Sequence, residues 1–190
     1  MKSFAAMEEC LRWAAEGDRQ AVPELIQRLS HPDWRVRYAA AVALGDMRAA
    51  EAVPALLAVL AEEDKAPLFS QARSFGGGPA GSPAAREADE ILRTTPVETL
   101  EAWRRRGRLK QAVCLALAEI GPAAYEAVPF LRRYAVDQNQ DYAVRAAACH
   151  ALGRIAAAAN RDVLIQASQD EEWCTRTEAR KALRRLGMTA

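Results

Sequence analysis

Apolar residues along this chain recur at three- and four-residue steps, and no stretch keeps a two-residue alternation. Val36, Ala39, Ala40, Ala43 and Leu44 fall on one face of a helix, and Val144, Ala147, Ala148, Ala151 and Leu152 fall on the same face of another. Those faces are core. The period excludes a sheet and predicts an all-α fold. Ser3 caps a first helix that runs to about Glu16 and closes at Gly17-Asp18. Pro23 sits in the first turn of a second, which ends near Ser30, and a third runs from the N-cap Asp33 to Gly45 as its far end. A helix over 51–63 has Pro54 in its first turn, and another covers 84–93. Thr95-Pro96-Val97-Glu98 then reads as a capping box, with Thr95 as the cap. Further helices are predicted over 108–120, 125–136, 141–158, 161–169 and 171–187.

These helices belong to repeats. Ala-Val-Pro occurs at 21–23, 52–54 and 127–129. An acidic residue, an aromatic one, then Val-Arg and an alanine-rich run ending in Ala-Leu-Gly occur over 33–45 and 141–153, with weaker copies at 110–121 and 172–187. On one register Arg37, Lys110, Arg145 and Arg176 are equivalent, separated by 73, 35 and 31 residues. A period in this range marks a solenoid of helix pairs, none able to bury its apolar face alone. The rhythm breaks over 64–83, where a Pro/Gly/Ser-rich insertion ends in Gly76-Gly77-Gly78-Pro79-Ala80-Gly81-Ser82-Pro83. That stretch lacks the lysine and spacing of a phosphate loop and reads as a surface loop. The chain as a whole, 1–190, reads as one repeat domain.

The matching pattern is Ala-Val-Pro-x-Leu for a first helix, then Asp-x-x-Val-Arg-x-x-Ala-Ala-x-x-Ala-Leu-Gly for a second. It resembles the HEAT-repeat solenoids, in particular the short bacterial variant also found in phycobilin lyase subunits. The likeness is strong over 21–45 and 125–153, partial over 96–121 and 161–187, and faint over 3–16. It implies a right-handed, armadillo-like α–α superhelix of about five helix pairs plus an N-terminal helix. It also implies a ladder in which the acidic residue of the turn and the arginine four positions on pair with neighbouring repeats. Those roles fall to Asp33 and Arg37, Asp141 and Arg145, and Glu172 with Arg176. The copy with Arg106 and Lys110 departs from the pattern, so its acidic rung is missing.

Composition alters this picture little. Formal net charge is +1, from −3 over 1–95 (11 basic, 14 acidic) and +4 over 96–190 (15 and 11), a mild asymmetry. No run reads as a membrane span or secretory signal, and Cys10, Cys114, Cys149 and Cys174 lie too far apart for a metal motif, so a cytoplasmic setting is expected. Heavy use of arginine over lysine (22 against 4) suggests a bacterial source with a GC-rich genome. His31 and His150 sit on different copies, and no catalytic set can be assembled around them. The paired His-Glu dipeptides that iron-binding hydroxylases of this fold use are absent from the sequence. No cofactor or metal is expected.

The expected function is therefore non-catalytic: a protein-interaction or scaffold module that takes a partner protein on its concave face. If each second helix lines the inner curve, positions 34, 35, 38, 41 and 42 and their counterparts point away from the core. The candidate stripe is then Trp34, Arg35, Tyr38, Arg108, Gln111, Tyr142, His150, Trp173, Arg180 and Lys181, rich in the residue types of binding hot spots. The bland alternative is that these rings cover the edge of the preceding helix. Two functional alternatives stand beside the scaffold. Arg104-Arg105-Arg106-Gly107-Arg108-Leu109-Lys110 and Arg180-Lys181 with Arg184-Arg185 would suit nucleic acid, as on the basic surface of helical-repeat DNA glycosylases; arginines at helix C-termini also complement the helix dipole. A phycobilin-lyase-like subunit is the other.

Overall fold

The computed structural model of the protein describes residues 2–65, 83–155 and 158–187. Every regular element among them is helical: α1 Lys2–Glu16, α2 Val22–Arg28, α3 Trp34–Asp46, α4 Val53–Asp64, α5 Pro83–Thr94, α6 Val97–Ile120, α7 Val128–Val136, α8 Tyr142–Ile155, α9 Arg161–Ala167 and α10 Trp173–Arg185. A 3-10 turn leads into each of α2, α4, α7 and α9. The Ala-Val-Pro motif builds three of these entries. Its alanine is buried at the end of the 3-10 turn, its valine packs inward, and its proline takes the first helical turn, where a missing N–H costs nothing.

The helices form two layers. One consists of α1, α3, α6, α8 and α10, each packed on the next; α2, α4, α7 and α9 lie against α3, α6, α8 and α10. This is the α-solenoid that the repeats predict, but the described helices make four pairs where about five were expected, with α1 and α5 outside them. Leu25, Leu44, Leu56, Leu60, Leu117, Leu131, Leu152 and Leu164 are wholly buried between the layers, and each contributes about 1.5–3 kcal/mol. Arg28 ties α1 to α2. It pairs with Glu9, donates to the Ala6 carbonyl at 2.9 Å, and lies 4.5 Å from the Trp13 ring centre.

Several expected boundaries move, each for a visible reason. Ser3 does not cap α1, because the helix already includes Lys2. Most of the 64–83 insertion lies outside the described residues, and α4 continues to Asp64. Thr95 is not a cap: the N-cap position of α6 is Pro96, and no side chain bonds there. The two helices expected between 95 and 120 are one, running unbroken through Gly107. A Cβ on Gly107 would stand 3.3 Å from the Asp141 Cβ and 3.2 Å from its Oδ2, so this glycine admits the turn before α8 instead of ending a helix. The copy at 96–121 thus supplies the second helix of the pair that α4 opens. An 18-residue window within Val97–Val136 is apolar enough by composition to cross a membrane, contrary to expectation, but 56% of that window is buried in this core.

Gly45 is likewise not the end of its helix. It lies inside α3, and the chain turns instead at Arg48, which takes a left-handed φ of 49°. A Cβ at Gly45 would lie 2.6 Å from the Ala116 Cα on α6, and one at Gly153 would lie 2.6 Å from the Ala182 Cβ on α10. The glycine of Ala-Leu-Gly is where one second helix touches the next.

Charged rungs run from the second helices to α4 and to the turns before α8 and α10, but not in the pairing the resemblance implied. Asp33 and Asp141 cap their own helices, accepting from the Arg35 and Ala143 N–H groups at 2.9 and 2.8 Å. Glu172 stands at the N-cap of α10 without a side-chain bond, and burial pushes its carboxyl above the usual range. The arginines reach forward. Arg37 Nη1 meets Glu63 Oε1 at 3.0 Å, and Arg145 grips both Asp170 oxygens, Nε to Oδ2 at 2.9 Å and Nη2 to Oδ1 at 3.0 Å. Arg176, in the last repeat, donates to the Asp170 and Glu171 carbonyls, each at 2.6 Å. The rung missing from the Lys110 copy is filled from across the insertion. Lys110 Nζ lies 2.7 Å from Asp64 Oδ1 and 3.2 Å from Gln140 Oε1, and Asp64 also pairs with Arg133. Burial alone would raise the Asp170 pKa; hydrogen bonds from Arg145, the Glu172 N–H and Gln138 outweigh it and hold the value below 3.8.

Two stability measurements follow from these contacts. Gly153→Ala drives a methyl into Ala182, and its urea midpoint is expected to fall by the equivalent of about 1–3 kcal/mol; an unchanged midpoint would mean the helices are not in contact there. Asp170→Asn strands a buried guanidinium and costs about 3–5 kcal/mol at neutral pH. Because the folded pKa is depressed, the carboxylate's contribution is complete above the unfolded value and fades as pH falls through the folded one. The gap between wild type and Asp170→Asn should therefore narrow below about pH 4, and a constant gap across urea titrations from neutral to acid pH would refute the assignment.

Candidate interaction surface

The exposed face of the α3–α6–α8–α10 layer carries three neighbouring concavities. The first, about 430 Å³, lies between α3 and α6 and is lined by Asp33, Trp34, Arg35, Glu101, Arg104, Arg105 and Arg108. The second, about 290 Å³, brings Tyr38 and Val42 of α3 to Gln111 and Leu115 of α6. The third, about 360 Å³, continues from Gln111 and Leu115 to Tyr142, Ala146 and His150 of α8 and to Lys181 of α10. Gln111 and Leu115 belong to both of the last two, which makes α6 the spine of one shallow groove.

Local contacts set the rings. Trp34 begins α3, directly after the Asp33 cap, and its ring meets Tyr38 edge-on, at 6.4 Å between centroids and 78° between planes. The Arg35 guanidinium lies 5.3 Å from the Trp34 ring centre. Tyr142 begins α8 in the same way, after Asp141, and is 42% exposed. His150 Nδ1 lies 3.2 Å from Glu178 Oε2, and Lys181 Nζ lies 2.7 Å from Glu178 Oε1. Burial works to raise the Glu178 pKa, but its bonds to Lys181 and His150 hold it below the usual range.

Eight of the ten candidate residues line the concavities: Trp34, Arg35, Tyr38, Arg108, Gln111, Tyr142, His150 and Lys181. Trp173, 67% exposed, and Arg180 line none of the three. The outward register also needs a correction. Position 41 was expected to face away from the core, yet Ala41, Cys114 and Cys149 are fully buried. Each lies on the side of its helix that packs against a neighbour in the layer. Arg180 occupies the same register on α10, the last described helix of the layer, and there the position opens to solvent. Burial pushes the Cys114 and Cys149 thiols to about 12, so both act as small apolar groups.

The basic run 104–110 divides on folding. Lys110 is buried in its rung, whereas Arg104, Arg105 and Arg108 point to solvent. Sequence reasoning missed Leu115, Ala146 and Glu178 as lining residues. Leu115 shares the register of Val42 and His150, and that was the available signal.

A model of HEAT repeats matches residues 5–74 and 86–187. None of the curated proteins compared with the chain matches it. HEAT repeats generally mediate protein–protein interaction or scaffolding. Paired helices, recurrent Ala-Val-Pro entries, and a match over most of the chain agree: this protein belongs to the HEAT-repeat family.

Proposed function

We propose that the protein is a non-catalytic interaction module that holds a partner protein in the groove over α3, α6, α8 and α10. The observation that carries this reading is the exposure of Tyr38, Leu115 and Tyr142 (39%, 41% and 42%) around one continuous concavity floored by alanines. Large apolar side chains gain little from such positions unless something covers them. Trp34 and Tyr142 begin their helices and offer broad, rigid surfaces with few rotatable bonds, and Arg35 and Lys181 stand at the rim. That combination, aromatic anchors within a polar edge, is the anatomy of a hot spot. Trp173, outside the groove, is left as a secondary contact. The phycobilin-lyase reading draws on repeat likeness alone, and no residue of the groove is specific to a tetrapyrrole.

An affinity capture from native lysate, read by mass spectrometry, tests the proposal. The captured protein should bind a Trp34→Ala/Tyr142→Ala variant at least about thirtyfold more weakly than wild type, while the variant's helical circular dichroism is unchanged. Undiminished capture by the folded variant would rule the groove out, and loss of helicity would instead make the rings part of the core.

A further inference from the structure

The groove is polarised, and its polarity specifies its occupant. Arg104, Arg105 and Arg108 form no ion pair among the described residues; the one bond made by their side chains runs from Arg105 Nε to the Glu101 carbonyl of the same helix, at 3.2 Å. The helix dipole does not explain them, because α6 continues twelve residues beyond Arg108, to Ile120, and that field fades within a terminal turn. Asp33 is already engaged as the cap of α3 and stands 3.7 Å from Arg35. Four arginines, Arg35 among them over the Trp34 ring, thus outnumber the two carboxylates of this concavity, Asp33 and Glu101.

Along α6 the stripe Arg104, Arg108, Gln111, Leu115 stays on one face. Within that length its chemistry passes from cationic to apolar. Leu115 is flanked by Tyr38 and Val42 on one side and by Tyr142 and Ala146 on the other. Beyond it Asp46 and Glu119 border the second concavity, whereas in the third Glu178 is already met by His150 and Lys181, with Arg185 also in the lining. A polynucleotide carries the same charge at every step. Laid along α3 and α6, it would set phosphates first on a leucine and a tyrosine and then on Asp46 and Glu119. A polypeptide can change from acidic to apolar within a few residues.

We infer that the groove receives a short segment of the partner protein with clustered carboxylates at one end and a large apolar side chain at the other. The carboxylates meet Arg104, Arg105 and Arg108; the apolar side chain meets Leu115 and Tyr142. Arg108 and Arg104 lie seven and eleven residues before Leu115, about 10–16 Å along the helix axis, so an extended segment spans the distance in about three to five residues. This inference rests on the interaction-module reading and specifies the chemistry of its partner.

Selection of a random displayed peptide library on the immobilised full chain tests it. Wild type should enrich peptides with two or more acidic residues followed, at that spacing, by Leu, Phe, Met or Trp. A fluorescent copy of an enriched peptide should bind Arg104→Glu/Arg108→Glu at least about tenfold more weakly, and Leu115→Glu should weaken it separately. Salt should weaken binding to wild type and have little effect on what remains in the charge-reversed variant. All the substituted side chains are exposed, and circular dichroism checks that the fold is kept. Enriched peptides without acidic clusters, or binding indifferent to charge reversal, would overturn the inference. If such peptides were still lost on Trp34→Ala/Tyr142→Ala, the interaction module would stand and only its charge assignment would fail. Failure to enrich any peptide would overturn the inference as well. So would tighter, Arg104- and Arg108-dependent binding of a short single-stranded oligonucleotide, which would assign the surface to nucleic acid.

Discussion

The structure depends on how closely its second helices approach one another. Gly45 against Ala116 and Gly153 against Ala182 leave no room for a methyl group, and the buried column Ala41, Cys114 and Cys149 keeps the same layer narrow. Close approach at one face has a consequence at the other. With side chains this small between the helices, the exposed face is a shallow trough with an alanine floor, from which Tyr38, Leu115 and Tyr142 rise. The packing constraint and the candidate binding surface are two sides of one layer.

Apolar packing of this kind sets distance but leaves register loosely defined, since alanines slide past alanines at little cost. The buried charges supply register. Arg145 gripping both oxygens of Asp170, Arg37 meeting Glu63, and Lys110 held by Asp64 and Gln140 each fix a second helix against the end of α4 or against the turn inside the next pair. A bidentate pair tolerates little displacement, and a buried one severely penalises loss of a single partner. The Asp64 rung also joins α4 to α6 across the insertion, so the pair is kept although the chain between its helices is long. Tyr134 closes this site: its ring centre lies 5.2 Å from Lys110 Nζ, and burial beside the Asp64 carboxylate pushes its phenol well above the ordinary value.

Much of this was legible in the sequence because it is local. The Ala-Val-Pro entries, the Asp33 cap and the three- and four-residue apolar faces depend on neighbours within a turn or two, and a repeated local pattern announces a solenoid. What misled depends on distant partners. Gly45 and Gly107 look like helix ends, and only the positions of Ala116 and Asp141 show that they are points of close approach. The resemblance implies a rung for Asp33, but Asp33 caps its own helix, and the acid that Arg37 meets, Glu63, is 26 residues away. Most of the stripe was found by register alone. Trp173 and Arg180 fell outside the groove for a reason register does not contain: among the described residues no helix packs on the side of α10 away from α8 to form the other wall.

The account stands or falls on the contact between neighbouring second helices, and a methyl exchange across it is the most direct measurement. Gly153→Ala, Ala182→Gly and the double variant form a cycle of urea unfolding midpoints, because the atom nearest a Cβ at Gly153 is the Ala182 methyl itself. Gly153→Ala alone is expected to be destabilising, and Ala182→Gly, itself costing about 1 kcal/mol in helix propensity, is expected to recover much of that loss when combined with it. If the two losses simply add, the helices do not touch where these glycines place them, and the trough above them has no foundation.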